Sequence, residues 1–160
     1  MVKTIFCEDA YGKGFFRNLI KKIKKAEPHQ LGISIKSTRG PFDSKAARAV
    51  AAARMRGKVI VVVDAHGKTP LEVESSVKQA CGPIDGLHVV VVENAIEDWV
   101  VAGECVDPRK ENALSYLRHN HRYEKYKLPS YGERIDAEKL AQKLNSFKDF
   151  LEALDDPYRA

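Results

Sequence analysis

Two segments of the chain, Lys58–Val63 (KVIVVV) and Leu87–Val92 (LHVVVV), are nearly unbroken runs of β-branched residues. A strand with one face in water alternates apolar and polar side chains, whereas a continuously apolar run must be covered on both faces. Such strands belong inside a parallel sheet, and parallel strands can be joined only by long crossovers, usually helices. This requirement excludes an all-helical chain and a one-sided antiparallel meander.

The intervening sequence supplies the crossovers. Val2–Cys7 reads as a first strand and Leu31–Ser37 (LGISIKS) as a weaker second one. Between them, Tyr11–Ala26 carries Phe15, Leu19 and Ile23 at helical spacing with Phe16 and Ile20 beside them, and turns Lys21, Lys22, Lys24 and Lys25 outward. Asp43–Arg56 is an alanine-rich helix packing through Ala46, Ala47, Val50 and Ala51. A third helix starts at Thr69, with Pro70 at its first position and Glu72 completing a capping box, and stops at Gly82-Pro83. The resulting β-α-β-α-β-α-β order predicts an α/β, Rossmann-like sandwich with a central, mainly parallel sheet of about four strands.

Beyond Ala95 the pattern is helical. Ile96, Trp99, Val100 and Gly103 share a face, which places Trp99 in the core, and Asp107-Pro108 opens another helix. Lys127–Arg134, with Pro129 and Gly132, reads as a loop, and Asp136–Leu154 as one or two closing helices. The 160 residues give room for one real core, so we expect a single domain over 1–160, with a sheet-and-helix core at 1–104 and C-terminal helices at 105–160.

Composition sets the class. At 44% apolar and 31% charged the chain is globular rather than disordered. No apolar stretch approaches the roughly 18 residues of a membrane span. The opening MVKTIFCEDAYGK meets acidic residues too early for a signal-peptide core, so a cytoplasmic protein is expected. Cys7, Cys81 and Cys105 are widely spaced without a CxxC pair, which points to neither a zinc module nor a disulfide framework. The net charge of +5 is a mild lean toward a polyanionic partner.

The residues that follow each strand carry the chemistry. The first strand runs into Glu8-Asp9, the third into Asp64-Ala65-His66-Gly67-Lys68, and the fourth into Glu93-Asn94. Parallel strands end at one edge, where α/β proteins bind ligands, so these acids gather there. Gathered carboxylates repel one another unless a cation or proton joins them, and oxygen-rich sites suit Mg²⁺ or Mn²⁺. Acids after strands also cap the next helix, and Asn94 with Glu97 forms a capping box, so a structural role for Glu97 stays open. If one ion joins Glu8 and Asp64, their carboxylates should lie roughly 4–8 Å apart.

These segments resemble a known family. EDAYGKGFFRNLI, with Glu8 at a strand end before a glycine-bearing turn, looks like the opening motif of the Toprim (topoisomerase–primase) domain. VVVDAHGK resembles that domain's Asp-x-Asp strand end. ENAIEDWVVAG and the tail KYKLPSYGERIDAEKLAQKLNSFKDFLEAL resemble the small stand-alone Toprim-like proteins of bacteria and archaea, relatives of the OLD-family nucleases. The likeness spans nearly the whole chain through short motifs in matching order.

The resemblance implies a Mg²⁺- or Mn²⁺-dependent site acting on phosphodiesters, with DNA or RNA as partner. Carried across, Glu8 matches the family's first acid, a metal ligand and general acid–base, and Asp64 the first acid of the Asp-x-Asp pair. His66 stands where the second aspartate is expected; an imidazole can ligate Mn²⁺ but adds no negative charge, so this departure weakens the case for a full two-metal site. Glu97 matches the glutamate before Trp, a further metal ligand, and Glu93 is an additional acid at the same edge. Read from their places after strands, Arg39 and Lys68 are candidate phosphate contacts that would offset charge on the reacting phosphate, with a plain solvated surface charge the alternative for each, and Lys13, between Gly12 and Gly14, is a further candidate. The two glycines fit either a backbone phosphate contact or a plain tight turn. His119 and His121, flanked by Arg118 and Arg122, read as a basic surface patch.

The function expected is metal-dependent phosphodiester hydrolysis, nuclease-like. The alternative is a catalytically degenerate module that binds nucleic acid or builds a complex, which His66 favours. A phosphoacceptor domain would also place acids after the first and third strands, but it needs a lysine at a later strand end, where this chain has Glu93.

Overall fold

The computed structural model describes residues 2–38, 42–82, 85–93, 95–102 and 112–155. Its centre is a sheet of β1 (Lys3–Cys7), β2 (Ile33–Ser37), β3 (Val59–Asp64) and β4 (Leu87–Val92), all parallel, in the order β2-β1-β3-β4. The continuous apolar run of β3 is explained by its place inside the sheet: Val59 through Val63 are all buried. Successive side chains of a strand point to opposite faces. Val59, Val61 and Val63 accordingly pack with Phe6 and Val89 against Val50 and Ala53 of α2 (Ser44–Arg54) and Val77 of α3 (Pro70–Cys81). Ile60 and Val62 join the opposite layer. The edge strand β2 is only partly buried, which is why its pattern is the weakest of the four.

That second layer holds the larger core. Phe15, Phe16, Leu19 and Ile20 of α1 (Ala10–Lys24) meet Trp99 of α4 (Glu97–Ala102) and Phe147 and Phe150 of α8 (Asn145–Asp155). Trp99 stands edge-on to Phe147 at 5.0 Å and to Phe16 at 5.9 Å between ring centroids, geometries that favour the ring quadrupoles. The capping box expected at Thr69 is present: Glu72 N donates to Thr69 Oγ1 at 3.3 Å, and Thr69 N to Glu72 Oε2 at 3.2 Å.

The C-terminal helices α5 (Ala113–His121), α6 (Leu128–Tyr131), α7 (Ala137–Lys143) and α8 contribute Leu117, Leu128, Leu140 and Phe147 to this same layer. Residues 127–134 are mostly helical, not the expected loop: α6 is flanked by 3₁₀ turns at Lys125–Lys127 and Gly132–Arg134. Pro129 falls in the first turn of α6, where no backbone donor is needed. Gly132 lets this turn lie directly on α1. A Cβ there would stand 2.4 Å from the Phe15 carbonyl oxygen. The closing segment is two helices, parted by extended backbone at Leu144. Asn94, Gly103 and Asp107-Pro108 lie outside the described residues, and among those described no helix is long and apolar enough to cross a membrane. Cys7 and Cys81 are free thiols; burial, then the charge of Asp9, pushes the Cys7 thiol up to about 12.

The close seat of α6 on α1 is testable. Gly132→Ala should lower the unfolding free energy by about 1–3 kcal/mol, the usual cost of forcing extra volume into a packed contact. Urea denaturation followed by circular dichroism measures it, and an unchanged midpoint would mean the two segments separate at little cost.

Candidate metal centre

The strand order creates a crevice. From β1 the chain moves to one side to form β2, then crosses back to lay β3 on the other side of β1. Helices α1 and α2 therefore cover opposite faces, and the gap between them opens at the carboxyl ends of β1 and β3, the topological switch point where open α/β sheets take ligands.

Glu8 and Asp64 stand in that gap. Glu8 follows the last residue of β1 and Asp64 closes β3. With His66 they offer ligand atoms that all lie within 4.8 Å of one another. Glu8 Oε1 accepts a hydrogen bond from the Asp64 amide at 3.2 Å, while Glu8 Oε2 lies 3.4 Å from His66 Nε2. The same imidazole nitrogen is 4.0 Å from Asp64 Oδ2. The turn that brings it back is left-handed at both His66 (φ 49°) and Gly67 (φ 81°), and Lys68 N closes it on the Ala65 carbonyl at 3.0 Å. Few side chains adopt that backbone, and histidine is among those that do.

Electrostatically the site is short of positive charge. Asp64 is largely buried, and burial, followed by the charges of Glu8, Glu97 and Asp9, pushes its carboxyl up to about 8 although Lys125 opposes the shift. Asp64 is thus held largely protonated at neutral pH.

Glu97 was expected among the ligands but is not one of the three that converge. It opens α4, after the edge strand β4, and its side chain is only 3% exposed. Glu97 Oε1 accepts from Lys125 Nζ at 2.7 Å and from the Tyr123 hydroxyl at 3.1 Å. Lys125 also reaches Asp9 Oδ2 at 3.2 Å, while Asp9 Oδ1 caps α1 by accepting from Gly12 N at 2.8 Å. Burial alone would lower the Lys125 pKa, but the hydrogen bond and charge of Glu97, with Asp9, hold it above the usual lysine range. Burial first, then Glu97, raises the Tyr123 phenol. Neither Tyr123 nor Lys125 stands out in the sequence: they sit among other tyrosines and lysines, and only the fold sets them against Glu97.

The other expected residues separate. Glu93 is engaged structurally, accepting from Ser146 N at 3.3 Å and Ser146 Oγ at 2.6 Å at the start of α8, while Ser146 Oγ accepts from Trp99 Nε1 at 2.9 Å. Gly12 and Gly14 form neither a phosphate loop nor a turn; both lie inside α1, where a Cβ would meet Cys7 Sγ at 3.2 Å and Pro129 at 2.9 Å respectively. Lys13 is exposed in the first turn of α1, and His119 and His121 are exposed on α5. Arg39 lies outside the described residues. Lys68 is exposed on the rim of a cleft of about 570 Å³ that has Glu8, Asp64 and Lys125 on its walls and an apolar side formed by Phe42, Val73 and Val77.

No protein-family model matches the chain, and no curated protein matches it in sequence. Among solved structures it is similar to the C-terminal region of the OLD protein of Xanthomonas campestris pv. campestris, at 14% identity and a TM-score of 0.50 over 94% of this chain and 82% of that one. The C-terminal region of the Burkholderia pseudomallei OLD protein aligns at 16% identity and a TM-score of 0.47 over 92% and 87%. At these identities the Xanthomonas likeness is one of fold.

The raised carboxyl of Asp64 has a signed consequence. Between pH about 4 and about 8 the native state holds a proton on Asp64 that the unfolded chain, near its ordinary 3.8, has already lost, so stability falls as pH rises through that window. Asp64→Asn removes this dependence. The variant should melt close to wild type near pH 4 and above it at pH 8, by about 2–4 °C for each kcal/mol released. Paired thermal melts across that range check it; a pH-independent difference would contradict the assignment.

Proposed function

We propose that the cleft is a divalent-cation-dependent phosphodiesterase site of Toprim type, acting on nucleic acid in the manner of a nuclease. The observation that carries this reading is the convergence of Glu8, Asp64 and His66 at the switch point of a parallel sheet. The raised carboxyl of Asp64 supports it, because burial first and then the neighbouring acids disfavour its charged form, and a bound cation would relieve both. Two carboxylates and one imidazole fit Mg²⁺ and Mn²⁺, and the nitrogen shifts preference toward Mn²⁺. A cation held there would polarise a phosphoryl oxygen and lower the pKa of bound water.

The chain's own groups then divide the remaining tasks. Glu8 keeps Oε1 on the Asp64 amide, which fixes the carboxylate, and leaves Oε2 at the His66 side either to hold the ion or, instead, to take the proton of the attacking water. His66, 65% exposed, closes the ligand set from the solvent side. Lys68 at the rim and Lys13 on α1 supply the positive charge that draws in a phosphate backbone, and Arg39 completes that set. The order of motifs shared with Toprim-like proteins supports nucleic acid as the substrate.

A second reading, a degenerate nucleic-acid-binding module, is favoured by one observation: the position expected to be a second aspartate is His66, which adds no negative charge. One experiment separates the two. Wild type should cleave labelled DNA or RNA in Mn²⁺, and Asp64→Asn should reduce cleavage by at least about 100-fold, the scale on which loss of one essential group acts, with binding retained. Lys68→Ala with Arg39→Ala should instead weaken binding and flatten its salt dependence. Binding without cleavage by wild type would establish the degenerate module, and neither would leave the fold without this function.

A further inference from the structure

We propose that the Lys125 ammonium serves as the site's own second cation and fixes the metal count at one divalent ion per chain. The inference rests on the metal-site reading above and concerns how many ions that site takes. Four carboxylates bear on one another at this edge among the described residues: Glu8, Asp9, Asp64 and Glu97. They fall into two sets by what they touch. Asp9 and Glu97 both bind Lys125 Nζ, at 3.2 and 2.7 Å, and each is further committed, Asp9 to the N-terminus of α1 and Glu97 to the Tyr123 hydroxyl. Glu8 and Asp64, with His66 between them and the solvent, are the set left for an ion.

Charge and geometry agree on the count. Glu8 and Asp64 together carry two negative charges when ionised, which one divalent ion matches, while Lys125 offsets one of the two charges of Asp9 and Glu97. A second such ion would need Asp9 and Glu97, and their inward oxygens are occupied by an ammonium that is itself half-buried on the cleft wall. An ammonium offers three donors and sits among carboxylate oxygens much as a small cation does. The lysine arrives from the 3₁₀ turn Lys125–Lys127, beyond α5, so its placement is built into the docking of the C-terminal helices.

Mn²⁺ titration by calorimetry, with the electron spin resonance spectrum of the loaded protein, tests this without recourse to activity. Wild type should take one equivalent of Mn²⁺ and show the six-line spectrum of an isolated ion. Lys125→Met should gain a second equivalent and the broadened, exchange-coupled spectrum of neighbouring ions. Lys125→Met with Glu97→Gln, which removes charge from both sides, should return to one. Two equivalents or a coupled spectrum in wild type would overturn the proposal and leave the metal site standing, as would a folded Lys125→Met that still takes one. If Lys125→Met does not fold, the wild-type count and spectrum decide alone. No Mn²⁺ bound by wild type would overturn the metal-site reading and this inference with it.

Discussion

Everything at the carboxyl edge depends on the side-by-side register of β1 and β3. Thr4 pairs with Val59, Ile5 with Ile60 and Phe6 with Val61, so β3 runs two residues past the end of β1 and Asp64 comes within reach of the Glu8 side chain. That alignment alone allows Glu8, one residue past its strand, to take the amide of Asp64. A slip of one residue would send Ile60 and Val62 to the α2–α3 face and turn the other valines away from it, so the pattern that buries the sheet also holds the acids in place. Packing and chemistry are locked to one register.

Holding acids together has a cost, and the structure meets it in two ways. Behind the cleft, Lys125 and Tyr123 satisfy Glu97, and the start of α1 satisfies Asp9. In front, burial first and the neighbouring acids second make Asp64 keep its proton. The rear cluster sets Asp9 and Glu97 around the one ammonium of Lys125, while the front cluster brings Glu8 and Asp64 together beside His66. A buried pair of the first kind adds little net stability, yet losing one partner strands the other, so it serves mainly to fix geometry.

The sequence displayed the layers of this fold well and the rear of the site poorly, for physical reasons. Continuous valine runs have no stable home except a doubly covered strand, so β3 and β4 were legible outright, as were the Thr69 cap and the aromatic face of α1. Strand-end acids at Glu8 and Asp64 were legible because all parallel strands finish at one edge. Strand order was not, since it lies in the crossovers and not in any one segment. Residues 127–134 misled because a four-residue helix is too short to show a period, and Pro129 and Gly132 look the same in a loop as in a helix seated tightly on α1. For Glu97 the sequence could not separate two roles: a buried glutamate paired with a lysine 28 positions later has the same local signature as a metal ligand.

Trp99 gives this architecture a built-in reporter. It is the only tryptophan in the chain, sealed among Phe16, Phe147 and Phe150, with its indole N–H bonded to the Ser146 hydroxyl that Glu93 also holds. A single indole linking the end of β4 to the start of α8 means that the protein's intrinsic emission comes from the joint between sheet and C-terminal helices. Blue-shifted light marks that joint closed, and a shift to the red marks α8 lifting away. The fluorescence of this molecule is therefore a local optical gauge of one seam in the fold.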